Sequence, residues 1–528
     1  MFFIRVKIIQ RIYIVLLLLL SVRLFFLQVY PTKQVMEQYK NHQTETVSTS
    51  KYRVLDTNSK DLMNYNKKFI VVFDKKPFSL NNYENSVEKL MIINYIMKEE
   101  IKDFDFNKIM QSEGKTYYTV CEDTYNKIRK IQGIKGIYSY ISEDVNNKDA
   151  WKISNYLSRI NDESVEEGTL QSDLYEYLKN NKSPSKDFYL EANSEYNEST
   201  ISNIDNNNNL KLTIDSDLEN KVREVLFRNE YSNLANIGVI IMESDTGKIR
   251  AMVQKDESEP NINLGIEGVG YEPGSIFKLI TLGAALDKGY VTMNTKLNCV
   301  GNVCNKNHIH GLISVEDALI KSCNDSFALI GDKIEYESLM DYVNKLNVFK
   351  KDLNLKEESA GIKPNKEDGL NNISIGQCLT VTPVQMLGAI NSIVNNGTYV
   401  KPFIVEGIVD SNDKIIKSFE TEQKKVFTKT TSIIIKDGMK KVVSKGTGIK
   451  AKVNGMDIGG KTGSATSGSL NTTHGWFIGY YTINNKTYTM VVFVPDLFEK
   501  DENGEELGGG DTAAPVFAEI IKNIVGIK

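Results

Sequence analysis

Residues 271–278 of the chain read YEPGSIFK. A proline and a glycine end one segment there, and the apolar run over residues 277–286 predicts that a helix begins directly after them. Ser275 therefore lies where the unpaired N–H groups of a helix N-terminus stabilise negative charge. Lys278 follows three residues later on the same helical face, so its amine can reach the serine hydroxyl. The stretch predicts an activated serine nucleophile.

Two further motifs support the interpretation of Ser275 as a nucleophile. A Ser-x-x-Lys match alone is weak, because Ser86 to Lys89 and Ser183 to Lys186 also fit it. The motif SCN at residues 322–324 follows about 47 residues after Ser275, and KTG at residues 461–463 follows about 186 residues after it. A lysine can take the proton of a serine when burial and nearby positive charge lower its pKa. Lys461 would provide that positive charge.

The ordered set resembles class B penicillin-binding proteins, which are peptidoglycan D,D-transpeptidases of the superfamily that includes serine β-lactamases. Other landmarks of the family occur at the expected places: LTID at 212–215, a strand pair over 238–252, GQ at 376–377, TPVQ at 382–385, GTG at 446–448, HGWFIG at 474–479 and APVF at 514–517. The resemblance covers roughly residues 210–528. It implies an α+β fold, in which a transpeptidase domain with a central antiparallel β-sheet flanked by helices follows a membrane anchor and an elongated N-terminal pedestal domain.

The resemblance also implies the roles of individual residues. It assigns catalytic roles to Ser275, Lys278, Ser322, Asn324 and Lys461, and substrate binding to Thr462, Gly463 and Ser464. Ser275 would attack the penultimate D-alanine of a stem peptide while Lys278 takes its proton. Ser322 and Lys461 would relay a proton to the leaving amine, and Asn324 would hold the peptide amide. The hydroxyls of Thr462 and Ser464 would bind the terminal carboxylate, and the N–H groups of Ser275 and Ser464 would form the oxyanion hole.

By the same resemblance the partners are peptidoglycan stem peptides, β-lactam antibiotics, the cytoplasmic membrane and an integral-membrane glycosyltransferase, and catalysis needs no cofactor. Two alternatives stay open at this point. One is a D,D-carboxypeptidase or β-lactamase of the same superfamily, which differs in letting water resolve the acyl-enzyme. The other is a catalytically silent scaffold or β-lactam sensor. The motifs do not decide between elongation, division and sporulation.

The N-terminus predicts a membrane anchor. Basic residues precede an apolar stretch over residues 12–30 in which Arg23 is the one charged residue, and its length is just enough to span a bilayer. A cleaved signal peptide is the rival interpretation, but no small-x-small cleavage site follows the run. The predicted organisation is a cytoplasmic segment over 1–11, the anchor over 12–30, a pedestal over 31–209 and the transpeptidase domain over 210–528, which lies outside the cytoplasm of a bacterium.

Composition agrees with a folded chain of two or three domains. Of the 528 residues, 41% are hydrophobic and 25% are charged. The 64 basic residues nearly balance the 68 acidic ones and give a net charge of −4. Without a basic patch interleaved with aromatic residues, the sequence gives no reason to expect nucleic-acid binding.

One short segment gathers residue types that ligate metals. Cys299 and Cys304 lie close to His308 and His310, which brings two of the five cysteines and two of the four histidines within a dozen residues. Two thiolates and two imidazoles can hold a structural zinc ion. A Cys299–Cys304 disulfide and free thiols beside surface histidines are the alternatives. Cys323, between Ser322 and Asn324, is expected to point away from both of them and to be packed.

Overall fold

The computed structural model describes residues 2–29, 42–81, 83–146, 152–161, 165–202, 206–265, 269–304, 308–466, 472–498 and 507–527, with the backbone alone for 2–10, 26–29 and 83–85. The chain forms two compact units. The first unit contains Met1–Lys51, Tyr65–Asn146 and Lys182–Asn207, and the second contains Tyr52–Asn64, Asn147–Asn181 and Asn208–Lys528.

A long strand, Tyr65–Asp74, organises the first unit. Side chains alternate between the two faces of a strand, so Val71 and Phe73 join one apolar core while Val72 joins another. The strand pairs antiparallel with Lys115–Val120 and Ile137–Val145. A second three-stranded sheet has the order His42–Thr46, Ser185–Leu190, Tyr196–Ser202. The helices of this unit are Phe2–Val29, Lys75–Phe78, Tyr83–Glu100, Phe106–Gln111 and Glu122–Arg129.

The predicted anchor over residues 12–30 lies within the helix Phe2–Val29, apart from Tyr30, which lies outside the described residues. Among the described residues, no helix has the length and apolarity that crossing a bilayer requires. The anchor is therefore not confirmed.

The boundary between the two units differs from the single boundary predicted near residue 209. The segments Tyr52–Asn64 and Asn147–Asn181 belong to the second unit, with the residues of the three motifs. The physical reason is pairing within that unit, because the strand Val54–Leu55 lies parallel to Asn209–Leu212. These two strands form a four-stranded sheet with Val405–Val409 and Ile415–Ser418.

A five-stranded antiparallel sheet is the centre of the second unit, as predicted. Its strand order is Ile249–Gln254, Gly238–Glu243, Lys486–Leu497, Thr473–Ile483, Ile458–Thr466. The helices Ser216–Leu226 and Ala513–Val525 bury apolar side chains in one core with this sheet. The helix Pro383–Val394 is buried throughout, and it begins with a capping box between Thr382 and Gln385.

The remaining helices of the second unit are Ile153–Leu157, Leu170–Leu178, Lys278–Asp287, Val315–Ile320, Asn324–Ile334, Tyr336–Lys345, Leu370–Ile373 and Lys429–Lys445. Single 3₁₀ turns occur at Asn229–Tyr231, Ile262–Leu264, Gly274–Ile276, Lys366–Asp368 and Ile449–Ala451. Two separate antiparallel strand pairs join Lys296–Cys299 to Gly311–Ser314 and Thr398–Val400 to Gln423–Lys425.

Candidate active site

Ser275 lies in a 3₁₀ turn that leads directly into a buried helix. The turn is Gly274–Ile276 and the helix is Lys278–Asp287, so the helix begins one residue later than the apolar run suggests. The turn is held from both sides, since the Phe277 N–H donates to the Gly274 carbonyl and the Gly274 N–H donates to the Gly376 carbonyl. Ser275 itself is half-buried. The hydroxyl is thus fixed at the start of a helix but remains within reach of solvent.

Gly274 brings the nucleophile against the KTG strand. Its φ is +52°, and a Cβ at this position would lie 2.5 Å from the carbonyl oxygen of Ser464. Only glycine combines the left-handed conformation with so close a backbone approach. The backbones of the turn and of the strand Ile458–Thr466 therefore pass beside each other at Ser275 and Ser464, the two residues whose N–H groups are predicted to form the oxyanion hole.

We expect Gly274→Ala to lower the rate constant for acylation by a β-lactam by roughly 10²-fold, because a displacement of the nucleophile by about 1 Å costs that much. Gly289→Ala is the matched control. Gly289 also has a positive φ, of +73°, but a Cβ there would meet nothing within 4 Å. Both variants are expected to lose stability from backbone strain, of about 1–2 kcal/mol. Equal acylation by the two variants would show that the approach to Ser464 does not position the serine.

Lys278 is completely buried, and its amine lies among acceptors of the second motif. Nζ donates to the Ser322 carbonyl at 2.8 Å, to Ser322 Oγ at 3.3 Å and to Asn324 Oδ1 at 2.5 Å. Burial lowers the pKa of Lys278 from its ordinary value to about 7. Among the described residues, none of the hydrogen bonds of Lys278 reaches Ser275. The lysine is thus tuned to exchange a proton near neutral pH, as a general base must be.

Lys461, on the strand Ile458–Thr466, also contacts Ser322. Its Nζ donates to Ser322 Oγ at 2.9 Å and to the Thr462 carbonyl at 2.8 Å. Burial, together with the charge of Lys278, holds the pKa of Lys461 well below its ordinary value. Ser322 Oγ therefore joins two buried amines, and its backbone takes a positive φ of +57° to do so. A hydroxyl between two such groups can pass a proton from one to the other.

The three predicted substrate-binding residues lie consecutively on the strand Ile458–Thr466. Thr462 Oγ1 shares a hydrogen bond of 2.7 Å with Thr447 Oγ1 from the GTG motif. A Cβ at Gly463 would lie 2.9 Å from the Pro273 carbonyl, so this glycine also allows the close approach of the turn that carries Ser275. Ser464 is exposed, and its Oγ accepts a hydrogen bond from the Gly509 N–H. Of these three residues, Ser464 is thus the one that is accessible from solvent.

The candidate metal ligands need one correction. Among the described residues, Cys299, Cys304, His310 and Cys323 place their ligand atoms within 4.8 Å of one another, whereas His308 is exposed and is not in the group. Cys323 is buried as predicted, but its thiol lies 3.7 Å from that of Cys304. The sequence did not indicate that Cys323 lies beside Cys304, because the two residues are 19 positions apart. All five cysteines are free, so the structure forms no Cys299–Cys304 disulfide.

Solved structures share the overall fold. A peptidoglycan synthetase from Bifidobacterium adolescentis aligns with a TM-score of 0.63 at 18% identity, over 92% of this chain and 96% of that one. Penicillin-binding protein 3 from Mycobacterium tuberculosis, in complex with aztreonam, aligns with a TM-score of 0.61 at 17% identity, over 92% and 97% of the two chains. These likenesses show that the molecule shares the fold of these two structures.

The chain belongs to the penicillin-binding protein transpeptidase family, because residues 237–522, more than half of its length, match the family's transpeptidase domain. This confirms the resemblance seen in the sequence. Stage V sporulation protein D of Bacillus subtilis is 28% identical over 350 residues, covering 60% of this chain and 53% of the relative. A peptidoglycan D,D-transpeptidase FtsI homolog of Mesostigma viride is 29% identical over 374 residues, covering 60% and 61%. The chain thus matches about half to three-fifths of the length of these curated relatives.

Proposed function

We propose that the protein is a peptidoglycan D,D-transpeptidase that acts through an acyl-enzyme on Ser275. The observation that carries the proposal is the meeting of two buried amines on one hydroxyl, since Lys278 and Lys461 both donate to Ser322 Oγ. Burial lowers the pKa of both lysines. Relatives named as peptidoglycan D,D-transpeptidases support the choice of substrate.

The geometry supports a two-step reaction. Neutral Lys278 takes the proton of Ser275, and Oγ attacks the carbonyl of the penultimate D-alanine to form a tetrahedral intermediate. The backbone N–H groups at Ser275 and Ser464 stabilise the oxyanion, and removal of one such donor typically costs about 10²–10³ in rate. The proton passes through Ser322 to the amine of the terminal D-alanine, which leaves. The amine of a second stem peptide then attacks the ester, releases Ser275 and forms the cross-link.

β-Lactams should acylate the same serine. The solved structures with this fold include M. tuberculosis penicillin-binding protein 3 in complex with aztreonam and with ampicillin. A penicillin such as ampicillin carries a strained amide and a carboxylate in the positions of the terminal D-alanyl peptide. The hydroxyls of Thr462 and Ser464, with the nearby charge of Lys461, are suited to bind that carboxylate.

The test supplies the full-length protein with a synthetic stem pentapeptide and an acceptor amine. D-Alanine release accompanied by a cross-linked peptide supports the transpeptidase. D-Alanine release with only the hydrolysed tetrapeptide would show instead a carboxypeptidase. Absence of both products, together with the absence of a penicillin adduct, would leave a scaffold and would contradict the proposal.

We also propose that Cys299, Cys304, His310 and Cys323 hold a structural zinc ion. Three thiols and one imidazole form a ligand set typical of closed, four-coordinate zinc sites. The separations fit such a site, since Cys299 Sγ lies 3.7 Å from His310 Nδ1 and Cys304 Sγ lies 3.7 Å from Cys323 Sγ. The ion would supply folding energy to the loop before the second motif, and it would take no part in the chemical steps.

We expect the purified protein to contain about one equivalent of zinc, and Cys304→Ser to lose it and to show a lower Tm. His308→Ala is the matched control, because this histidine is exposed and lies outside the cluster. Metal content by elemental analysis and Tm by calorimetry provide the two measurements. Metal-free wild-type protein, or equal loss of zinc from both variants, would contradict this ligand set.

Membrane attachment is a further part of the proposal, with the catalytic unit outside the cytoplasm and an integral-membrane glycosyltransferase as partner. The support is the apolar stretch over 12–30, whose described large side chains are exposed on the helix. A protein beginning at residue 42 should appear in the soluble fraction while the full-length chain sediments with membranes. Co-purification from detergent extracts tests the partner. Sedimentation of both forms would contradict the anchor.

A further inference from the structure

Asp325 has a buried carboxylate that takes no part in the proposed reaction. Its side chain is 3% exposed, and it accepts hydrogen bonds from five successive backbone N–H groups. Oδ2 accepts from residues 300, 301 and 302 at 2.8, 2.6 and 3.1 Å, and Oδ1 accepts from residues 303 and 304 at 2.6 and 2.8 Å. The loop over residues 300–304 is therefore wrapped around one side chain.

Such an arrangement is an anion-binding nest built from consecutive main-chain amides. The carboxylate also lies in the first turn of the helix Asn324–Ile334, where the helix dipole favours a negative charge. The Asp325 carboxylate thus supplies the acceptors for five backbone donors of this loop.

Asp325 directly follows the motif whose side chains accept hydrogen bonds from the amines of Lys278 and Lys461. Asn324, its neighbour in sequence, accepts a hydrogen bond from Lys278, and Ser322 lies between Lys278 and Lys461. The Asp325 N–H points to Cys304 Sγ at 3.4 Å. Asp325 consequently ties the 300–304 loop to the turn that carries the second motif, because its carboxylate and its N–H both contact the loop while its backbone continues directly from the turn.

We propose that Asp325 is a positioning residue, which fixes the Ser322–Asn324 turn against the 300–304 loop and so sets the rate at which Ser275 is acylated. The inference rests on the proposed acyl-enzyme function. It does not require the zinc ion, because the five hydrogen bonds are made by the carboxylate itself. A disordered loop would free the turn and would shift Ser322 and Asn324 relative to the two amines.

The test compares Asp325→Asn with Asp332→Asn in the full-length chain with zinc added. The asparagine has nearly the same shape, but its NH₂ cannot accept a hydrogen bond, so either two or three of the five N–H groups lose their acceptor. Asp332 lies on the same helix and is exposed, which makes it the matched control. Stopped-flow labelling with a fluorescent penicillin separates the acylation rate constant from the dissociation constant of the initial complex. Hydrogen exchange measures protection of the amides at 300–304.

We expect Asp325→Asn to lower the acylation rate constant roughly 10- to 100-fold, the range seen when a residue that orients functional groups is removed. The amides at 300–304 should exchange faster, while those of the strand Ile458–Thr466 keep their protection. Asp332→Asn should match the wild type in every respect. Unchanged exchange at 300–304, or faster exchange there with a rate constant within twofold of wild type, would overturn the proposal. A wild-type protein without any penicillin adduct would instead overturn the acyl-enzyme function. The hydrogen-exchange data would still test whether Asp325 stabilises the 300–304 loop.

Discussion

Ser275→Ala is expected to abolish covalent labelling by a fluorescent penicillin, while the wild-type protein gains the mass of one opened β-lactam. Removal of the nucleophile leaves no oxygen that can form the ester, so residual turnover falls to what binding and the oxyanion hole alone provide. Intact-protein mass spectrometry measures the adduct, and peptide mapping locates it. The expected site is the peptide that contains residues 271–278.

The chain offers a matched control in its own sequence. Ser183 and Lys186 repeat the Ser-x-x-Lys spacing, but they belong to the first compact unit, whereas Ser275 belongs to the second. Ser183→Ala should therefore be labelled as fast as the wild type. An adduct mapped to any residue other than Ser275, or full labelling of Ser275→Ala, would reject the assignment of the nucleophile.

Sequence spacing predicted the residues of the site but not how they meet. The three motifs lie about 47 and 139 residues apart, and the expected contact was between Lys278 and Ser275. The structure instead joins Lys278 and Lys461 through Ser322 Oγ. This depends on the positive φ of Ser322 and on the close approach of the turn Gly274–Ile276 to the strand Ile458–Thr466, neither of which a short motif contains.

The cysteine cluster is a second case in which nearness in sequence did not predict which side chains meet in space. Cys299, Cys304 and His310 were predicted as ligands because they are near in sequence, and His308 was included for the same reason. Cys323 was expected to point away from Ser322 and Asn324, and that orientation is what directs its thiol towards Cys304. Proximity along the chain therefore included a histidine that lies outside the cluster, and it did not indicate the cysteine that the local turn brings into it.

The pH dependence of acylation follows from Lys278. Burial lowers its pKa to about 7, so the amine that accepts the serine proton is mostly protonated below that pH and mostly neutral above it. We expect the acylation rate constant to rise about tenfold per pH unit below 7 and to level off above it. A rate constant that stays flat between about pH 5.5 and 8.5 would show that a group with another pKa controls the proton.

Lys278→Met should lower the plateau rate constant by roughly 10²–10⁴-fold, which is the usual contribution of a general base, and should remove the pH dependence near 7. Misfolding is a poor explanation for such a loss, because the substitution also removes the cost of burying an amine, and Tm should be unchanged or higher. Lys288→Met is the control at the end of the same helix, where the side chain is exposed. If Lys278→Met retained a tenth of the wild-type rate constant or more, a different base would have to activate Ser275. Lys461, the other buried amine on Ser322, would then be the residue to test next, because its pKa is also held well below the ordinary value.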